Sequence, residues 1–281
     1  IKQIYLHFKS MELLKKNNNL EFSDVPDFQG WIGDARFGLH QLSNYFNKKK
    51  KYEVLEIGCG IGLLLASLKE KYPNIITQGI EPYKGGFDRL KETKNLLPKN
   101  INIQHLKFED FKPKKKYDII YSVNVFEHLL NWKLYLDKTK EWLKPNGINI
   151  ILCPNYSFPY ESHFKIPIIF NKKITQILFK NKINKFEKEK KSLGLWNSLN
   201  FIKMRNIKSY CLKNDMKFKY CNNILNDIVN RLDEDKEFQK RQSFVGFFAK
   251  YLKKFGFLKF LNSNAFHFFH PYMKIEVTKK R

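Results

Sequence analysis

From Tyr52 onward the chain alternates two kinds of apolar pattern. Val54-Leu55-Glu56-Ile57 is a short, nearly continuous apolar run that reads as a buried strand, and Ile61 to Lys71 spaces its apolar residues as a helix does. Ile75 to Ile80 predicts a second strand, closed by Glu81-Pro82, and a helix over about 86–97 stops at Pro98. Ile101 to Leu106 predicts a third strand and Tyr117 to Val123 a fourth. A helix over Trp132 to Leu143 is then turned by Pro145-Asn146-Gly147 into a fifth strand, Ile148 to Cys153. Strands alternating with helices imply right-handed crossovers and a parallel sheet.

Past Cys153 the regularity breaks. Pro154 to about Phe201 is rich in aromatics and lysine and reads as an insertion. A helix, Met204 to Asn214, and a strand, Met216 to Cys221, follow. One helical stretch over roughly Ile224 to Leu261 precedes a last strand, Met273 to Val277, placed late enough to insert antiparallel as a seventh. The expected organisation is a helical leader or lid over 1–49, a core over 50–155, an aromatic and basic cap over 156–203, and completion of the sheet over 204–281.

Composition changes this picture little. A hydrophobic content of 43% in 281 residues fills a core and argues against wholesale disorder. The net charge of +25 invites a polyanion, but the excess is nearly all lysine, and arginine is the residue suited to bidentate phosphate and base contacts. Nucleic acid is therefore disfavoured as a partner, and an acidic substrate or an anionic membrane surface stays compatible. Cys59, Cys153, Cys211 and Cys221 show no metal-ligand spacing, so no metal is expected. Unpaired thiols and an opening Ile1-Lys2-Gln3 without a secretory signal suggest the cytoplasm. No apolar run reaches the roughly 20 residues of a membrane span.

The decisive stretch is Glu56-Ile57-Gly58-Cys59-Gly60-Ile61-Gly62, between a strand and a helix. Glycines let backbone pass close beneath a ligand, and the helix start behind them is electropositive. A dinucleotide turn would place a third glycine where Leu63 stands, and Glu56 is a poor neighbour for phosphate. The turn favours a ligand with a charged amino-acid end. Glu81, nineteen positions after Gly62, is placed to grip two ribose hydroxyls.

This turn resembles motif I of class I S-adenosylmethionine-dependent methyltransferases. Ile80-Glu81-Pro82 resembles their second motif, and Tyr117-Asp118-Ile119-Ile120-Tyr121-Ser122-Val123-Asn124-Val125-Phe126-Glu127-His128-Leu129 their fourth-strand segment. The Phe-Glu-His-Leu ending is most similar to the branch with ubiquinone-biosynthesis and sugar-modifying enzymes. The likeness covers residues 50 to 155 well and implies a Rossmann-like α/β fold: a seven-stranded, mostly parallel sheet with helices on both faces and insertions after strand 5 and between strands 6 and 7. It implies S-adenosyl-L-methionine as cofactor, with S-adenosyl-L-homocysteine as product. Glu56, Gly58, Cys59 and Gly60 would lie by its methionine part, Glu81 and Pro82 by the ribose, Phe108 and Glu109 by the adenine, and Val123 and Asn124 by the methionine again. The family often has Asp where Lys107 stands, which points to the Phe108 backbone for the adenine contact.

On the acceptor side His128 follows the fourth strand, where open sheets place ligands, and a histidine near neutral pKa suits proton removal from a hydroxyl. His163 is the rival base, and a structural histidine is the plain alternative for His128. Tyr156, Tyr160 and Glu161 are expected in the acceptor pocket. His105 reads as a strand residue, and His267 and His270 lack metal partners. Phe28 to Arg36 suggests a lid, with Arg36 reaching the cofactor carboxylate and Trp31 covering the site, although a packed surface turn explains it equally. Phe244 to Leu261, alternating lysine with aromatics, is either a membrane-surface helix or one packed on its own domain.

The expected function is O-methyl transfer to a small polar acceptor: a sugar, nucleotide-linked or surface-polysaccharide component. A quinone-pathway methyltransferase and a non-catalytic cofactor-binding protein stand as alternatives. A nucleic-acid methyltransferase is disfavoured because Asn124-Val125-Phe126-Glu127 stands where an Asn/Asp-Pro-Pro-Tyr signature would, and a nicotinamide oxidoreductase because of Leu63.

Overall fold

A computed structural model describes residues 28–84, 101–263 and 266–280. The helix expected over 86–97, and the leader before residue 28, lie outside them.

Seven strands form one sheet in the order β3-β2-β1-β4-β5-β9-β8. β1 (Tyr52–Ile57), β2 (Ile75–Ile80), β3 (Asn102–Gln104), β4 (Tyr117–Val123) and β5 (Leu143–Pro154) pair in parallel. β9 (Tyr272–Lys279) runs antiparallel to both β5 and β8 (Met216–Tyr220), as the late seventh strand suggested. Central strands are covered on both faces, which is why β1 and β4 read as continuous apolar runs. β8 instead exposes Lys217 and Lys219, charges that blunt a free sheet edge.

One face packs against α1 (Phe28–Leu42), α2 (Leu63–Lys71) and α7 (Ile224–Glu234) through Leu39, Leu65 and Ile224. The other packs α3 (Trp132–Trp142) and α6 (Met204–Lys213), whose Met204, Ile207 and Cys211 fall on one helical stripe. The polar groups that α3 meets in the sheet are satisfied: the Tyr135 hydroxyl donates to Ser122 Oγ (3.1 Å) or Asn149 Oδ1 (3.2 Å).

Residues 156–203 build a third apolar cluster around Trp196, Phe164 and Ile183, from a two-stranded ribbon (β6, Tyr160–Glu161; β7, Ile166–Pro167), α4 (Lys172–Glu189) and α5 (Leu195–Ser198).

The boundaries depart from expectation in three places. Pro145-Asn146-Gly147 does not precede β5 but bulges within it: Leu143 already pairs with Tyr117, and pairing resumes at Ile148 with Ile119. The helical stretch after Ile224 is three helices. Asp235 caps the second, α8 (Lys236–Lys254), by accepting from Phe238 N–H, and Gly256 at φ +75° ends it before α9 (Leu258–Leu261). His105 lies beyond the end of β3, exposed against the Tyr83 ring.

Candidate active site

The carboxyl ends of β1, β2, β4 and β5 open into a cavity of about 1490 Å³, at the point where the strand order reverses between β1 and β4. Backbone conformation builds its floor. Gly58, Gly60 and Gly62 have φ of +74°, +52° and +75°, the region that side chains disfavour. A Cβ on Gly58 would also sit 2.4 Å from Val125, so the turn depends on glycine twice over. Gly58 N–H and Cys59 N–H both donate to Ile80 O (2.8 and 3.2 Å), tying the turn to the end of β2. Glu81 completes the tie: its Oε2 accepts from Gly60 N–H (3.0 Å) and its Oε1 from Tyr83 N–H (2.9 Å).

Two buried carboxylates therefore meet this turn. Burial raises the Glu81 carboxyl above its usual range despite those backbone donors. Glu56 goes further, to about 8, by burial and then the nearby Glu81 charge, against the Tyr121 hydroxyl that donates to it (3.0 Å). Such a pair needs a cation for full ionisation. Pro82, Phe108, Glu109 and Val123 line the same end of the cavity, and the Cys59 thiol beside them is pushed well up by burial. Asn124 takes φ +55°, which Asn tolerates, and its Oδ1 accepts from the Tyr272 hydroxyl (2.7 Å).

At the other end stand Glu127, His128 and His163, whose ligand-type atoms all lie within 4.8 Å of one another. The sequence put His128 and His163 on the acceptor side as rival bases; the structure adds Glu127 to them, although His163 comes from the insertion. The two imidazoles lie edge to face, centroids 5.4 Å apart. The Ser198 hydroxyl gives its one proton to Leu195 O (2.7 Å), so at 2.8 Å it accepts from His128 Nδ1–H. His128 Nε2 then carries the lone pair. Burial, with the His163 and Lys172 charges, holds His128 well below the usual imidazole range, so it is neutral. His163 is opposite in character. Burial would lower it, but Glu161 Oε1, 2.6 Å from Nδ1, raises it. Glu161 is in turn held low against its own burial by the His163 charge and by bonds that include Phe164 N–H (2.7 Å). Glu127 Oε1 lies 3.9 Å from His128 Nε2; neither of its carboxylate oxygens accepts a hydrogen bond, and burial raises it to about 7.

Two expectations need correction. Tyr156 and Glu161 do not face the cavity. Tyr156 stacks on Phe201 (4.5 Å) and Glu161 is fully enclosed, so both stand behind His163, held in place by the insertion's own core. Tyr160 does line the cavity. Phe28 to Arg36 is a helical roof and not a turn: Trp31, Asp34 and Arg36 of α1 line the cavity, with Arg36 exposed at its mouth. Asp34 anchors that roof by accepting from Arg231 of α7 (2.7 Å) and Arg241 of α8 (3.0 Å). The two guanidiniums outweigh burial and hold Asp34 low.

Several site residues escaped the sequence. Asn200 N–H donates to Glu127 O (2.8 Å), while Asn200 Nδ2 donates to Phe126 O (2.7 Å) and Leu129 O (2.9 Å), pinning the His128 turn. Ser198, Asn200 and Tyr272 are common residues in patternless positions, and only tertiary contact gives them a role. His270 bonds Tyr220 and Leu261 O and is structural.

A parallel sheet with an antiparallel seventh strand, and a glycine turn answered by an acid at the end of β2, defines a nucleoside-binding methyltransferase frame. The family described as "Methyltransferase domain" matches residues 33–207. The chain belongs to that family and is a class I S-adenosylmethionine-dependent methyltransferase. It is 31% identical over 195 residues to an uncharacterized protein of Mycobacterium tuberculosis, covering 68% of this chain and 66% of that one. It is 29% identical over 140 residues to a ubiquinone biosynthesis O-methyltransferase of Rickettsia typhi, covering 44% and 55%. The chain thus spans less than two thirds of these relatives. Among solved structures, the plantazolicin methyltransferase BpumL with S-adenosylhomocysteine superposes at TM-score 0.50 and 16% identity, over 97% of this chain and 91% of that one. That likeness shows the fold.

The floor fits the cofactor. The Glu56 and Glu81 carboxyls, both buried, face one cavity end, where cationic groups and a ribose diol would offset their burial. When bound, S-adenosylmethionine supplies an electrophilic methyl group.

Proposed function

We propose that the enzyme transfers this methyl to a hydroxyl of a small polar acceptor, with His128 as base. The geometry that supports the reading is at His128: the Ser198 hydroxyl, which donates to Leu195 O, makes Nδ1 the donor and leaves the lone pair on Nε2, a buried atom beside Glu127 in a ring that lines the cavity. His163, whose protonated form Glu161 favours, stabilises the oxyanion that forms. The acceptor is a sugar, nucleotide-linked or surface-polysaccharide component. Trp31, Phe158 and Tyr160 offer rings for a sugar face, and Arg36, Lys165 and Lys190 line the cavity with positive charge for a phosphate. The relative named for ubiquinone biosynthesis favours a phenolic quinone precursor as the second reading. Free thiols, three of the four buried, accord with a cytoplasmic enzyme.

The test is transfer of labelled methyl to a panel of nucleotide-sugars and quinone precursors, by the natural chain and by His128→Asn. Labelling of a sugar hydroxyl, lost in the variant while cofactor still binds, supports the reading. Labelling of only a phenol selects the second. A variant as active as the parent removes His128 from the chemistry, and cofactor uptake with no acceptor labelled leaves a binding protein.

A further inference from the structure

No helix among the described residues is long and apolar enough to cross a membrane, yet one face of the molecule carries an unusual load of rings. Phe247, Phe248, Tyr251 and Phe255 of α8, then Phe257 and Phe260 at α9, are each more than half exposed, from 53% at Tyr251 to 68% at Phe247. Aromatic side chains scattered singly need no explanation; six within fourteen residues do.

Helix geometry sets this face apart from the cavity. Phe238, Gln242, Gly246 and Ala249 line the cavity and recur at the spacing of one helical stripe. Phe247, Tyr251 and Phe255 form a second stripe about half a turn away. Their rings follow one another at 6.5 and 4.5 Å, so they are arranged as a row. Gly256 then turns the chain so that Phe257 and Phe260 continue it. α8 is thus amphipathic in an uncommon sense, with a cavity beneath and rings outside.

Charge selects what covers the rings. Between Phe238 and Ile275 the chain has no Asp or Glu, while Lys250, Lys253, Lys254 and Lys259 interleave with the rings. Asp233 of α7 takes Lys250 (3.1 Å) and Lys253 (2.8 Å); Lys254 and Lys259 are exposed beside Phe255 and Phe260. From Gln242 to Leu261 there is no arginine, the residue that nucleic-acid phosphates and bases favour, and Leu252, Leu258 and Leu261 add aliphatic surface. Rings and leucines that enter an acyl boundary, flanked by lysines that meet headgroups, are the chemistry of an interfacial helix.

We infer that the aromatic face of α8 and α9 docks on an anionic lipid bilayer. The cavity then lies about one helix diameter, roughly 10 Å, from the membrane surface, where an acceptor carried on a lipid would be presented.

The test is co-sedimentation of the full chain with vesicles of phosphatidylcholine alone and with phosphatidylcholine mixed with about one third phosphatidylglycerol, whose negative surface potential attracts lysines. Binding to the anionic vesicles, weakened by salt and absent from neutral ones, is expected. Phe247→Ser/Phe255→Ser and Lys254→Glu/Lys259→Glu should each weaken partitioning by about tenfold or more. None of these four residues lines the cavity, so cofactor affinity should hold and certify the fold. Several results overturn the inference: no binding to anionic vesicles at low salt, or variants that bind as the parent does. Preference for single-stranded nucleic acid over vesicles does so as well, as does a parent dimer that both variants make monomeric while vesicle binding is absent.

Discussion

The two ends of the cavity are made by different means. Backbone makes the cofactor end: three glycines at positive φ, main-chain bonds to Ile80, and one acid that closes the turn, all between residues 56 and 83. Side chains make the acceptor end, from segments remote in sequence: His128 after β4, His163 and Ser198 in the insertion, Tyr272 on β9. A conformation written in alternate glycines tolerates substitution poorly and leaves a local signature. An assembly of ordinary side chains leaves none, and can be altered one partner at a time.

The contrast can be attacked first at its backbone end. Gly58→Ala forces a side chain into a disfavoured φ and against Val125. We expect loss of the fold, or of cofactor affinity by at least about a hundredfold; titration calorimetry beside a melting curve distinguishes them. Near-normal binding would show that the turn relaxes, and the distinction between the two ends would fail.

At the other end, His128→Asn should lower kcat by about 10²–10⁴-fold, the usual range for a proton-transfer group, with cofactor affinity unchanged. Glu161→Gln should lower kcat/KM by about 10–100-fold, as loss of a ring-orienting partner does. Its sign with pH follows from the two shifts. His163, raised, stabilises the fold below its unfolded value of 6.5 and loses that contribution as pH rises through its folded value. Glu161, lowered, stabilises above 4.5 and loses it as pH falls. The variant should therefore be most destabilised between about pH 4.5 and 6.5, by denaturant titration. A cost that does not vary with pH would mean the pair is not ionic.

Glu127→Gln reverses the direction. The carboxyl at about 7 makes ionisation inside the fold unfavourable, a penalty that grows from pH 4.5 to 7 and is constant above. Removing the charge should leave stability at pH 4 unchanged and raise it at pH 8 by up to about 3 kcal/mol. No gain at pH 8 would show that the neighbouring His163 already compensates the carboxylate.

The same contrast explains what could be read in advance. The core strands and their parallel pairing followed from apolar runs set between helical stripes, because burial on both faces leaves no alternation to misread; their order in the sheet did not. Gly58 and Glu81 were legible because turn chemistry is local. His128 was found with them through the segment after β4. Glu161 was assigned to the wrong side of the wall, since an acid two residues from a histidine looks the same in sequence whether it meets substrate or supports the ring. Asn200 and Ser198 carry no pattern, and their roles exist only once the insertion folds against the turn at residues 126–128. The bulge at Pro145-Asn146-Gly147 looked like an ordinary turn, because pairing of Leu143 with Tyr117 is a property of the sheet.

The roof helix has a kinetic consequence. Asp34 is shared by Arg231 and Arg241, and a Cβ on Gly33 would lie 2.3 Å from the Asp235 carboxylate, so α1 packs closely on the junction of α7 and α8. Asp34, Arg231 and Arg241 all line the cavity, so a nucleoside leaving beneath α1 would pass these charges. We predict that parting these charges limits departure of the spent nucleoside, so that Asp34→Asn speeds it severalfold in stopped-flow chase measurements; an unchanged release rate would show that the roof does not gate it.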